Sequence, residues 1–85
     1  MITIAVYQHK VLPHKALVTA TRGMWIEFYQ EDDKNLSYLE EQVFESAYQL
    51  FMDMTSKPLY TEPELADLRQ EGRAQGRLVP REFDY

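Results

Sequence analysis

The chain contains no cysteine. That excludes a disulfide staple, a thiolate zinc site and thiol chemistry, and it fits a reducing compartment. Glycine is scarce: the three present form neither a G-x-G-x-x-G turn nor a P-loop. No serine stands in G-x-S-x-G, so the usual nucleophile elbow is missing. Nor does any apolar run approach the roughly 18–20 residues that a membrane span requires. The opening "MITIAVYQHK" lacks the basic start and long apolar stretch of a signal peptide. Positive charge is also short, nine Lys and Arg against fourteen Asp and Glu, for a net charge of −5. A nucleic-acid binder concentrates basic residues to neutralise phosphates, so direct DNA or RNA binding is disfavoured. The expectation is a soluble, cytoplasmic, single domain over residues 1–85, with no membrane contact and no cofactor.

What the chain does hold is apolar and aromatic material, 45% and 13% of its 85 residues. That suffices for one core and is too little for two domains. Charge is uneven along it. Residues 1–30 carry Lys10, Lys15 and Arg22 against Glu27, whereas residues 31–57 carry seven acids against Lys34 and Lys57.

"ITIAVYQ" (2–8) alternates and is rich in β-branched residues, a strand signal. "HKVLPHK" (9–15) interrupts it, because Pro13 cannot donate to a ladder. "ALVTATRGMWIEFYQ" (16–30) reads as two strands around a tight turn at Gly23. In the second, Ile26 and Phe28 point one way and Trp25, Glu27 and Tyr29 the other. In "LSYLEEQVFESAYQLFMD" (36–53) Leu36, Leu39, Val43, Ala47 and Leu50, with Met54 just beyond, recur every three or four residues, which predicts an amphipathic helix of about five turns. Ser37 with Glu40 supplies a capping box, and Lys57-Pro58 a stop. Thr61, Pro63 and Glu64 form a second capping box before a short helix over 62–71 or slightly longer. Gly72, Gly76 and Pro80 make residues 72–85 a candidate flexible tail. The fold class is α+β: a three-stranded, largely antiparallel sheet on one long helix, plus a short C-terminal helix and tail.

No constellation carries chemistry. Glu41 and Glu45 lie one helical turn apart, but the only histidines, His9 and His14, sit in the proline loop, away from any carboxylate-bridged metal pattern. "EDDKN" (31–35) lacks the glycine of a calcium loop. No metal site and no catalytic residue is assigned. Arg69, Arg73, Arg77 and Arg81 recur every fourth residue, and pairing with nearby acids is the favoured reading.

The remaining feature is the acid row itself. Glu41, Glu45 and Asp53 would share one side of a long helix, with Asp32 and Asp33 just ahead and Tyr38 as an aromatic anchor. Such a surface would imitate the spaced charge of nucleic acid and steer toward a basic partner. The expected function is therefore a small acidic non-enzymatic protein-binding module, an inhibitor or modulator of a larger nucleic-acid-handling protein of the phage or mobile-element kind. Asp32, Asp33, Tyr38, Glu41, Glu45 and Asp53 are the contact residues. The alternative is an assembly subunit that forms a homodimer through the strand edge at "ITIAVYQ" or through its C-terminal segment.

Overall fold

The computed structural model describes residues 5–31, 33, 35–53 and 60–83, with the backbone alone at 52 and 53. Strand β1 (Ala5–His9) leads through the proline loop to β2 (Lys15–Arg22), which turns back into β3 (Trp25–Gln30). Gly23 sits at the first of two turn positions with φ 59°, a conformation that costs only glycine nothing. Arg22 and Trp25 then pair directly, and the register carries Leu17 to Tyr29 and Val18 to Phe28. A bulge after Val18 shifts the pairing before Ala20 meets Glu27.

The long helix expected over 36–53 does not form. That segment is a strand β4 (Ser37–Glu40), a short helix α1 (Glu41–Ala47) and a strand β5 (Tyr48–Asp53). Among the described residues the sheet has five strands, not three, in the order β4-β3-β2-β1-β5, and every neighbour is antiparallel. Two needs override the helical period. The outer edges of β3 and β1 both seek partners, and the sequence flanking α1 is rich in aromatic residues that suit a pleated surface. The apolar stripe is therefore not the one the spacing suggests. Val43 and Leu50 are exposed, while Tyr38, Phe44 and Tyr48 are buried. Ser37 lies in β4; α1 begins at Glu41, and its N-cap Glu40 makes no side-chain cap.

Alternation of directions makes β4 and β5 parallel at opposite edges, so α1 must cross one face of the sheet. It is held at both ends by backbone. The Glu41 N–H donates to Met24 O in the β2–β3 turn at 2.7 Å, and the Lys10 N–H donates to Ala47 O at 2.9 Å. Between these ties the fully buried Phe44 ring enters the core of Ala16, Val18, Ile26, Phe28 and Tyr48. It stacks on Tyr48 with centroids 4.8 Å apart and meets Tyr7 edge-on.

The opposite face is covered by α2 (Glu62–Ala74), and here the sequence reads correctly. Thr61 caps it: the Glu64 N–H donates to Thr61 Oγ1, and the Thr61 N–H donates back to the Glu64 carboxylate. The helix runs through Gly72, three residues past the expected end, and closes on Gly76 at φ 79°. The Gly76 N–H donates to Arg73 O and the Arg77 N–H to Gly72 O, the bond pair of a Schellman motif. Beyond it the chain runs back over the sheet to a 3-10 turn (Arg81–Phe83) that buries Phe83 completely. No helix among the described residues is long and apolar enough to cross a membrane.

Candidate functional site

Two groups of charged side chains stand out, one inside the fold and one on its surface. The first is built on Glu27, at the middle of β3, whose side chain is fully buried. Four donors converge on its carboxylate. Arg69 Nε donates to Oε2 at 2.6 Å and Arg69 Nη2 to Oε1 at 2.8 Å, a bidentate fork from α2. The Tyr38 hydroxyl reaches Oε2 at 2.7 Å from β4, and the Thr19 hydroxyl reaches Oε1 at 2.8 Å from the bulge in β2. A carboxylate offers about four lone-pair positions, and here all four are taken.

The surroundings seal this cluster. Arg69 is only 1% exposed, and its Nη1 lies 3.6 Å from Glu62 at the start of α2. The Phe83 ring lies 5.4 Å from the guanidinium carbons of Arg69 and of Arg22, and 5.0 Å from the Tyr38 ring. Its carbonyl accepts a bond from Arg73 at 2.9 Å. Burial works against the Arg69 charge, but the hydrogen bonds and charge of Glu27 outweigh it and hold the guanidinium pKa above its ordinary value. Burial, then the hydrogen bond and charge of Glu27, push the Tyr38 phenol well above the tyrosine range. With its lone pairs occupied and its side chain fully buried, Glu27 links β2, β3, β4 and α2. Its chemistry is structural.

The second group lies on α1 and its N-cap residue. Glu40, Glu41 and Glu45 are exposed, with Gln42, Val43 and Ser46 exposed among them. Of the residues named from the sequence, Glu41 and Glu45 thus share one short surface helix. Asp33 is exposed too, its Oδ1 accepting the Asn35 N–H at 3.0 Å in a local turn. Asp53 does not join them on a helix, because it ends β5. Asp32 falls outside the described residues. Tyr38 is buried and its hydroxyl is committed to Glu27, so its ring faces the core and not a partner.

Of the four arginines at every fourth position, Arg69 pairs with acids, as the spacing suggested. The helix ends at Ala74, Arg69 is buried against Glu27, and Arg73 bonds the Phe83 carbonyl. Sequence reasoning missed the Glu27 cluster, although two signals were present. Glu27 is a lone charge within the apolar and aromatic "WIEFY", and Arg69 stands between Leu65 and Gly72 at helical spacing.

Among the described residues no group of three or more His, Asp or Glu side chains is placed to hold a metal ion. A slight hollow lies between β4, α2 and the return segment, lined by Leu36, Tyr38, Leu68, Arg77 and Val79 among others. Comparison of the chain with family models, with curated proteins and with solved structures returns no match.

Proposed function

We propose that this protein is a small non-enzymatic binding module whose α1 surface meets a basic site on another protein. One observation carries the reading: Glu41 and Glu45 are exposed on a helix that is tied by backbone at both ends, with exposed Glu40 at its N-cap and Val43, 49% exposed, beside them. A rigid element presenting like charges around an apolar residue loses little entropy on docking and steers a basic partner electrostatically. The net charge of −5 acts in the same direction. Inhibition or modulation of a nucleic-acid-handling protein fits this charge, because such partners carry basic clefts for phosphate.

The experiment is capture from the native host, followed by salt-dependent calorimetry with the purified partner. Glu41→Lys/Glu45→Lys changes only exposed side chains, so the fold should persist by circular dichroism. Loss of binding, with wild-type affinity falling as salt rises, supports the reading. Binding that survives the double substitution with the same salt dependence would overturn it.

Self-association is a second reading, and its location changes. The strand from "ITIAVYQ" is internal, paired with β2 on one side and β5 on the other. The free edge beside it is β5, where Leu50 and Phe51 are about half exposed. Light scattering over a concentration series decides this, and a strictly monomeric protein removes it.

A further inference from the structure

The loop joining β1 to β2 is organised by a single side-chain atom. His9 Nδ1 accepts the Leu12 N–H at 2.9 Å and the Val11 N–H at 3.1 Å. The His9 N–H donates to His14 O at 2.8 Å, closing the loop at its base. The tip this holds out is apolar: Val11 is 85% exposed and Leu12 49%. From these contacts we infer that His9 is a proton-sensitive clip, which fixes the Val11–Leu12 tip while the imidazole is neutral and releases it when the ring gains its second proton.

The argument is one of lone pairs. A neutral imidazole has one bare nitrogen, and here that nitrogen must be Nδ1, with the proton on Nε2. The protonated ring has donors at both nitrogens and no acceptor, so both loop bonds are lost together. Two backbone N–H groups then turn to solvent, and nothing else among the described contacts holds residues 11 and 12.

The neighbours of the ring set the context. Tyr48 of β5 meets it edge-on with centroids 5.0 Å apart. Lys10 and His14 belong to the loop itself, and Lys15 begins β2. Among the described residues no carboxylate pairs with the ring, so no counter-charge compensates the lost bonds. The release has a route beyond the loop, since the Lys10 N–H holds the end of α1 through Ala47 O. The clip therefore stands at the junction between an exposed apolar tip and the crossing helix, and it does not depend on the α1 surface binding anything.

The test is nuclear magnetic resonance on the full chain between about pH 8 and pH 5, the range in which histidines generally change charge. At the upper end the His9 ring should show a bare Nδ1 and a protonated Nε2. The Val11 and Leu12 amide resonances should then move together with the His9 ring as pH falls, while β3 amides stay in place. His9→Asn provides a side-chain oxygen that accepts at every pH, so these two amides should stop responding. His14→Gln should leave the wild-type response intact. A protonated Nδ1 at the upper pH overturns the inference, and so do Val11 and Leu12 amides that ignore His9 or follow His14. The tautomer measurement decides the matter even if His9→Asn fails to fold.

Discussion

Arg69 in α2 and Glu27 in β3, forty-two positions apart, share two hydrogen bonds of 2.6 and 2.8 Å in a site from which both side chains exclude solvent. This pair joins α2 to the sheet. A buried ion pair adds little net stability compared with well-packed apolar residues, yet removing one partner strands the other.

Glu27→Leu or Arg69→Met alone should therefore cost about 3–5 kcal/mol, a large part of what a small domain has. The double substitution should cost less than either single change, since it buries no unpaired charge. It still leaves the Tyr38 hydroxyl without its acceptor, at about 1–3 kcal/mol, whereas the Thr19 hydroxyl keeps the Glu27 backbone carbonyl at 3.3 Å. Urea unfolding of the three variants checks this, and simple additivity would show the pair to be uncoupled.

Tyr38 should be the last tyrosine to ionise. Its folded pKa is raised, first by burial and then by Glu27, so the folded state favours the protonated phenol. The corresponding stabilisation is fully present below the ordinary value of about 10 and is lost as pH rises above it. Spectrophotometric titration should show one phenol ionising only as the chain unfolds in alkali. Tyr38→Phe should abolish that late step.

The α2 cap is sensitive at the other end of the pH scale. Hydrogen bonds from the Thr61 backbone and hydroxyl lower the Glu64 pKa. Its contribution is present above the unfolded carboxylate value of about 4.3 and is lost as pH falls through the lower folded value. Thr61→Ala should cost about 1 kcal/mol near neutrality. Measured by thermal unfolding, the gap between wild type and this variant should narrow below about pH 4.

Two glycines of the C-terminal half should answer oppositely to alanine. Gly72 lies inside α2, and an added Cβ would meet Val79 at 3.6 Å, an ordinary contact. Gly72→Ala should stabilise by about 0.5–1 kcal/mol. Gly76 has open space around it but φ 79°, so Gly76→Ala should destabilise by about 1–2 kcal/mol. Thermal melts of both variants separate backbone strain from packing.

How much of this could be read from residues depends on how local the determinant is. The turn at Gly23, the cap at Thr61 and the alternation of β3 are specified within a few residues, and all three are where the sequence puts them. The stretch 36–53 is different. Its three-to-four spacing is genuine, but "YQLFMD" also alternates, and spacing alone cannot weigh a continued helix against an open edge on β1. That edge lies some forty residues earlier in the chain, at Ala5 to His9. The Glu27 cluster is equally non-local, since its four members come from four different elements. Tyr38 looked like an exposed anchor on a helix and is a core residue of β4 because that segment is a strand.

The crossing of α1 also sets an order of assembly. β1, β2, β3 and β4 join neighbours in the chain, whereas β5 returns to β1 only after the chain has passed beneath its own sheet. Closing that pairing joins His9 to Tyr48 over about forty residues, a far longer loop than any within the hairpins. Non-local closures are slow, so the four-stranded meander should form first and β5 should dock as the late step. Substitutions at Phe44 and Tyr48 should then mainly accelerate unfolding, while those in the β2–β3 hairpin should mainly slow folding.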